Sequence, residues 1–145
     1  MSALQKEKDP INYLLKGIEL LDVAMNQPQL TPVDLIFFNF DIKLEHKINN
    51  DLKVIIVVIY VDLFNKEKSY KFGSISASCI FEVQDFEKFF DSKKNELNFP
   101  EDFLISINSI AISTTRGIMF SQFKGTYLHN AFLPIIDPRS FIVQK

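Results

Sequence analysis

Leu52 to Phe64 (LKVIIVVIYVDLF) constrains the fold more than any other stretch of the chain. It is β-branched and apolar on both faces, which is the pattern of a central strand covered on both sides. Polar turn signals bracket it, Asn49-Asn50-Asp51 before and Asn65-Lys66-Glu67-Lys68 after. The segment upstream alternates. Ile36, Phe38, Phe40, Ile42, Leu44 and Ile48 take one side, with His46 in an inward slot, and Phe37, Asn39, Asp41, Lys43, Glu45 and Lys47 take the other. That is a strand with one wet face. Downstream, Ser69 to Val83 alternates again. Ile75, Ala77, Cys79, Phe81 and Val83 point one way, and Ser74, Ser76 and Ser78 point the other. The serine side is small and nearly flat; it suits either solvent or the close approach of a helix or a second sheet. Three strands joined by short polar turns make an antiparallel meander.

The flanks read less directly. In Tyr13–Asn26, Leu14, Ile18, Leu21 and Met25 have helical spacing, while Tyr13, Leu15, Leu21, Val23 and Met25 fit one strand face. Periodicity alone leans towards helix. Gln27-Pro28 and Thr31-Pro32 mark an irregular connection. Asp85 to Asn95 is charged and suits a short helical turn. Asn98-Phe99-Pro100-Glu101 reads as a helix start with Asn98 as N-cap, and the helix is predicted over 101–123. Gly125 is its expected stop. Asp137-Pro138 would cap a last helical stub from Arg139 to Lys145. Residues 1–12 are expected to be a flexible tail and 13–145 a single domain.

Composition excludes several functions. The chain has 145 residues, and its 16 basic and 18 acidic side chains leave a net charge of −2. That lacks the basic field of a nucleic-acid binder. The single cysteine, Cys79, allows no internal disulfide and fits a reducing compartment. Ile11 to Met25 is broken by Lys16, Glu19 and Asp22, so it is no signal-peptide core. The longest strongly apolar run is Val54 to Val61, against about 20 residues for a membrane span. A cytoplasmic protein with no membrane insertion is expected.

The catalytic inventory is thin. His46 and His129 are the two histidines, and no zinc-type spacing or glycine-rich phosphate loop is present. Asp41 and Glu45 flank Lys43 on a self-neutralising face, and the serines lack a partnered base. No cofactor, no metal and no enzymatic activity are expected; His129 and Asp137 would be the first residues to test otherwise. The surplus is apolar: 15 Phe and 4 Tyr, but no Trp. Phe37, Phe64, Phe86, Phe89, Phe90, Phe99 and Phe103 lie around strand ends and the crossover to the helix, where surplus apolar surface serves an oligomer interface or a binding groove.

The order of pieces resembles the SecB-type protein-export chaperones. Four stretches carry the resemblance. Leu15 to Asn26 (LKGIELLDVAMN) is similar to the family's opening strand, and Phe38 to Phe64 to its second and third strands. Cys79-Ile80-Phe81 stands where the family has Gly-Ile-Phe. Thr115-Arg116-Gly117 through Gly125 to Leu133-Pro134-Ile135 stands where it has Ala-Arg-Glu, a Gly pair and Ala-Pro-Val. The resemblance favours a strand at Tyr13–Asn26. It implies an α+β fold: a four-stranded antiparallel sheet with a long helix and a short C-terminal helix packed on one face. It also implies a homo-oligomer, dimer or tetramer, that holds unfolded polypeptides or preproteins and hands them to a SecA-type motor. The seven phenylalanines would then line polypeptide grooves, and Ser74, Ser76 and Ser78 would face another copy. Asp22 matches one of the family's motor-docking acids. Asn26 and Ser74 stand where the family has others, and its acidic C-terminal tail is missing, which leaves room for a SecB-like module dedicated to one partner.

Overall fold

The β-branched run does lie inside a sheet. In the computed structural model, which describes residues 11–26, 37–91, 93–94 and 96–141, strand β3 (Val54–Phe64) sits between β2 (Asn39–Asn49) and β4 (Lys71–Val83). Strand β1 (Tyr13–Met25) closes the other side of β4, so the order is β1-β4-β3-β2 with antiparallel neighbours throughout. A 3-10 turn at Phe86–Phe89 and a two-residue hairpin of β5 (Phe90–Asp91) and β6 (Glu96–Leu97) lead to helix α1 (Glu101–Phe123). A second 3-10 turn, Pro138–Phe141, packs against α1. This is the expected α+β arrangement. Residues 1–10 of the proposed 1–12 tail, the Pro28 and Pro32 connection, Ile36 and the end of the last stub lie outside the described residues; Ile11 packs against the core, and the Asn12 carbonyl accepts from the Gln84 N–H at 2.9 Å.

One core holds the layers together. The inward row of β4 (Ile75, Ala77, Cys79, Phe81, Val83) and that of β3 (Ile55, Val57, Ile59, Val61, Leu63) meet Phe103, Ile107, Ala111, Ile112, Met119 and Phe123 of α1. By length and composition α1 is apolar enough to cross a bilayer. Its buried face on the sheet and its exposed Asp102, Ser106, Ser109 and Ser113 are those of a core helix. The opposite sheet face carries the serines; Ser76 and Ser78 are buried, across β3 from Tyr60 and Val58, and Ser74 is half-buried.

Two local readings need correction, and a third holds. Asn98 is not the helix cap: its N–H donates to the Phe89 carbonyl at 2.7 Å, and Pro100 occupies the cap position. Gly125 does follow the helix, at φ +78°, a conformation that glycine adopts without strain. The simple alternation assigned to Tyr13–Met25 fails because β1 contains two bulges, where register shifts fall between Leu15 and Gly17 and between Leu20 and Asp22. Leu21 therefore leaves the inward row, and Ile18 and Leu20 join it.

Candidate functional site

The bulges decide what β1 presents. Tyr13, Leu15, Ile18, Leu20, Val23 and Met25 stand across from Val83, Phe81, Cys79, Ala77, Ile75 and Gly73, so all six face the helix side of the sheet. Helix α1, however, packs across β3 and β4. Tyr13 is covered, edge-on to Phe81 at 5.9 Å and to Phe103 at 5.2 Å. Leu15, Ile18, Leu20 and Met25 are not: 46%, 49%, 40% and 46% of their surface stays open. The outward side of the same strand carries Glu19 and Asp22, both exposed. Asp22, the proposed motor-docking acid, lies opposite Ser76 there.

The two sheet edges differ. Both carry exposed charges, Asp41, Lys43 and Lys47 on β2 and Lys16, Glu19 and Asp22 on β1, but the inward residues Phe40, Ile42, Leu44 and His46 of β2 are half-buried. β1 offers 13 residues of edge with an apolar row along one face. An unpaired strand edge supplies backbone hydrogen bonds, and alternate side-chain contacts supply selectivity, which is how extended peptides are taken up by sheets.

The seven phenylalanines divide between opposite ends of the sheet. Phe86, Phe89, Phe99 and Phe103 form one cluster at the crossover, with centroids 5.9 Å apart for Phe86–Phe99 and 5.2 Å for Phe89–Phe99 and Phe99–Phe103. Phe86 and Phe103 are buried in the core, and Phe89 and Phe99 pack against it. Phe90 is exposed and lines a cleft of about 250 Å³ with Asn50, Phe86 and Glu87. Phe37, exposed under Lys66, and half-buried Phe64 stand at the far end. The structure does not bring these seven residues into one groove. Sequence reasoning missed the β1 row instead; its only sequence signal is an apolar stretch whose gaps alternate between two and three residues.

The chemistry-bearing side chains are engaged structurally. Cys79 is buried, and that burial raises its thiol pKa despite a hydrogen bond with Thr114, which suits packing and not nucleophilic attack. Asp137 is paired with Arg139, whose guanidinium holds its carboxyl below the usual range. His129 Nδ1 accepts from the Gly125 N–H at 3.3 Å. Among the described residues no group of three or more His, Cys, Asp or Glu could hold a metal ion.

One polar contact crosses the core. His46 Nε2 lies 2.6 Å from Asn108 Oδ1, and the fully buried Asn108 leaves its Nδ2 without a partner. A buried unsatisfied amide costs about 1–3 kcal/mol. Asn108→Leu, close in volume, should therefore raise stability by about 1 kcal/mol, since half-buried His46 has access to water. Urea denaturation measures this; a loss of stability would mean that the amide is needed as it stands.

No family model and no curated protein matches the chain. The solved structures similar to it include the following two. A SecB-like chaperone of Mycobacterium tuberculosis, Rv1957, in complex with a ChAD peptide from the HigA1 antitoxin, shares 11% identity at a TM-score of 0.49, over 85% of this chain and 83% of that one. A protein of unknown function from Streptococcus agalactiae shares 9% identity at a TM-score of 0.43, over 79% and 90%.

Proposed function

We propose that the protein is a SecB-like holdase that binds extended, apolar segments of non-native polypeptide. The observation that carries this reading is the contrast between the edges: Phe40, Ile42 and Leu44 in the inward row of β2 are half-buried, and the apolar row of β1 is left open by the helix. A holdase needs exposed apolar surface with loose sequence demands and no catalytic group. The two bulges restrict β1, since a strand added there meets the apolar row on one face and a mixed row of Leu14, Glu19 and Asp22 on the other. Clients with apolar residues at alternate positions are favoured. Pairing of two copies would set several such rows side by side and give one long client avidity. Asp22 is the one proposed motor-docking acid retained, so the reading rests on polypeptide holding and not on a SecA-type motor.

The test is suppression of aggregation of a reduced, unfolding client by the purified protein at near-stoichiometric ratio. Wild type should suppress it, and Ile18→Lys/Leu20→Lys, which charges the row without touching the core, should lose about ten-fold in potency. No binding to any unfolded polypeptide would contradict the proposal. Capture of one stoichiometric folded partner, without unfolded-client binding, would identify a dedicated interaction module instead.

A further inference from the structure

A second surface, on the far side of α1 from the sheet, has the chemistry of an anion site. Ser109, Ser113, Arg116 and Phe120 follow one another at helical spacing of four, three and four residues, so they line one stripe of α1. The segment after the helix runs beside that stripe. Arg116 holds it there, donating from Nε to the Leu133 carbonyl at 2.9 Å and from Nη2 to the Pro134 carbonyl at 2.8 Å. Between helix and strap lies a cleft of about 160 Å³, lined by Ser109, Ile112, Ser113, Arg116, Ile135 and Ile136.

Among the described residues no carboxylate compensates the charge in this cleft. Arg116 is half-buried, and among the described residues it pairs with no carboxylate. The strap's own acid, Asp137, is already committed to Arg139 through contacts at 2.9–3.2 Å. A guanidinium has five N–H donors, and two neutral carbonyls use two of them. The remaining three include both on Nη1 and one on Nη2, the pair that grips a carboxylate end-on. Two serine hydroxyls stand along the same wall. A single arginine matches the charge of a carboxylate better than that of a phosphate dianion.

The rim is apolar. Ile135 is 98% exposed, and the exposed rings of Phe120 and Phe132 stack 6.3 Å apart at 23°. We propose that this cleft binds the C-terminal carboxylate of a polypeptide that ends in apolar residues, with Arg116, Ser109 and Ser113 on the carboxylate and Phe120, Phe132 and Ile135 against the last side chains. The site is separate from β1 and stands or falls independently of the holdase reading.

The test is an NMR titration of the full chain with acetyl-Ala-Leu-Phe bearing a free carboxylate, with its C-terminal amide, and with inorganic phosphate. The free acid should shift the Arg116 Nε–H and Ser113 amide resonances saturably in the millimolar range, and the amide should bind about ten-fold more weakly. Ser113→Asp places an internal carboxylate one turn from Arg116 on an exposed position and should abolish the response. Arg116→Lys keeps the charge, loses the fork, and should weaken binding about five-fold. Equal response to acid and amide, or none up to about 50 mM, would overturn the proposal. So would phosphate binding as tightly as the peptide, which would mark a free-anion site. Shifts that follow protein concentration without peptide would also overturn it and mark a contact between copies.

Discussion

Replacing Phe81 by alanine should destabilise the protein by about 3–5 kcal/mol, the range for removing a fully buried aromatic ring. Phe81 lies on β4 between Leu15 of β1 and Ile55 of β3. It is fully buried, and Tyr13 packs edge-on against it. Both strand neighbours are held by the sheet, which limits how far the space can collapse. A domain of this kind has about 5–15 kcal/mol in total, so the variant should lose a large part of its urea resistance. A change under about 1 kcal/mol would mean that the inward row of β4 faces solvent.

Gly73→Val should be nearly as damaging, for a different reason. A Cβ at position 73 would stand 2.5 Å from the Ala24 carbonyl oxygen and 3.2 Å from Leu128 Cδ1. Backbone cannot give way as a side chain end does, so β1 must move off β4. That movement breaks the hydrogen bonds that tie the end of β1 in place. Asn26 donates from its backbone N–H to the Phe72 carbonyl at 2.8 Å and from Nδ2 to the Lys71 carbonyl at 2.8 Å. The Tyr127 hydroxyl donates to the carbonyls of Asn26 and Phe72. Overpacking costs about 1–3 kcal/mol and unpaired backbone groups add to it, so a loss of about 3 kcal/mol is expected by thermal or urea denaturation. Unchanged stability would contradict the register of β1 against β4.

Parts of this architecture are legible from residue order because each face of each strand repeats one chemical character. β3 is apolar on both faces, β4 sets Ile, Ala, Cys, Phe and Val against serines, and α1 runs over the expected span between Pro100 and Gly125, though Asn98 does not cap it. β1 is not legible in that way. Its inward row falls at 13, 15, 18, 20, 23 and 25, because each bulge inserts one residue. Those gaps average between the strand and helix periods, so Leu14, Ile18, Leu21 and Met25 imitate a helical stripe. The resemblance to SecB-type chaperones pointed to a strand where periodicity could not. The same irregularity hid the open apolar row, since exposure depends on where α1 lies across the sheet and not on any residue of β1. The phenylalanines misled for a related reason. Phe86 and Phe103 sit near element ends in the sequence, yet their rings turn inward and fill the crossover end of the core. The small hairpin of β5 and β6 left no sequence signal beyond polar residues.

The claim that β1 holds polypeptide is tested most directly by placing a photo-crosslinking benzoylphenylalanine at position 18 and, as a control, at position 47 on the β2 edge. Both positions are exposed, and they lie on opposite edges of the sheet. With a reduced, unfolded polypeptide present, irradiation should yield a client adduct from position 18 and little from position 47. Adduct mass separates client from a second copy of this chain. Equal labelling from both edges, or only self-adducts from position 18, would contradict the account.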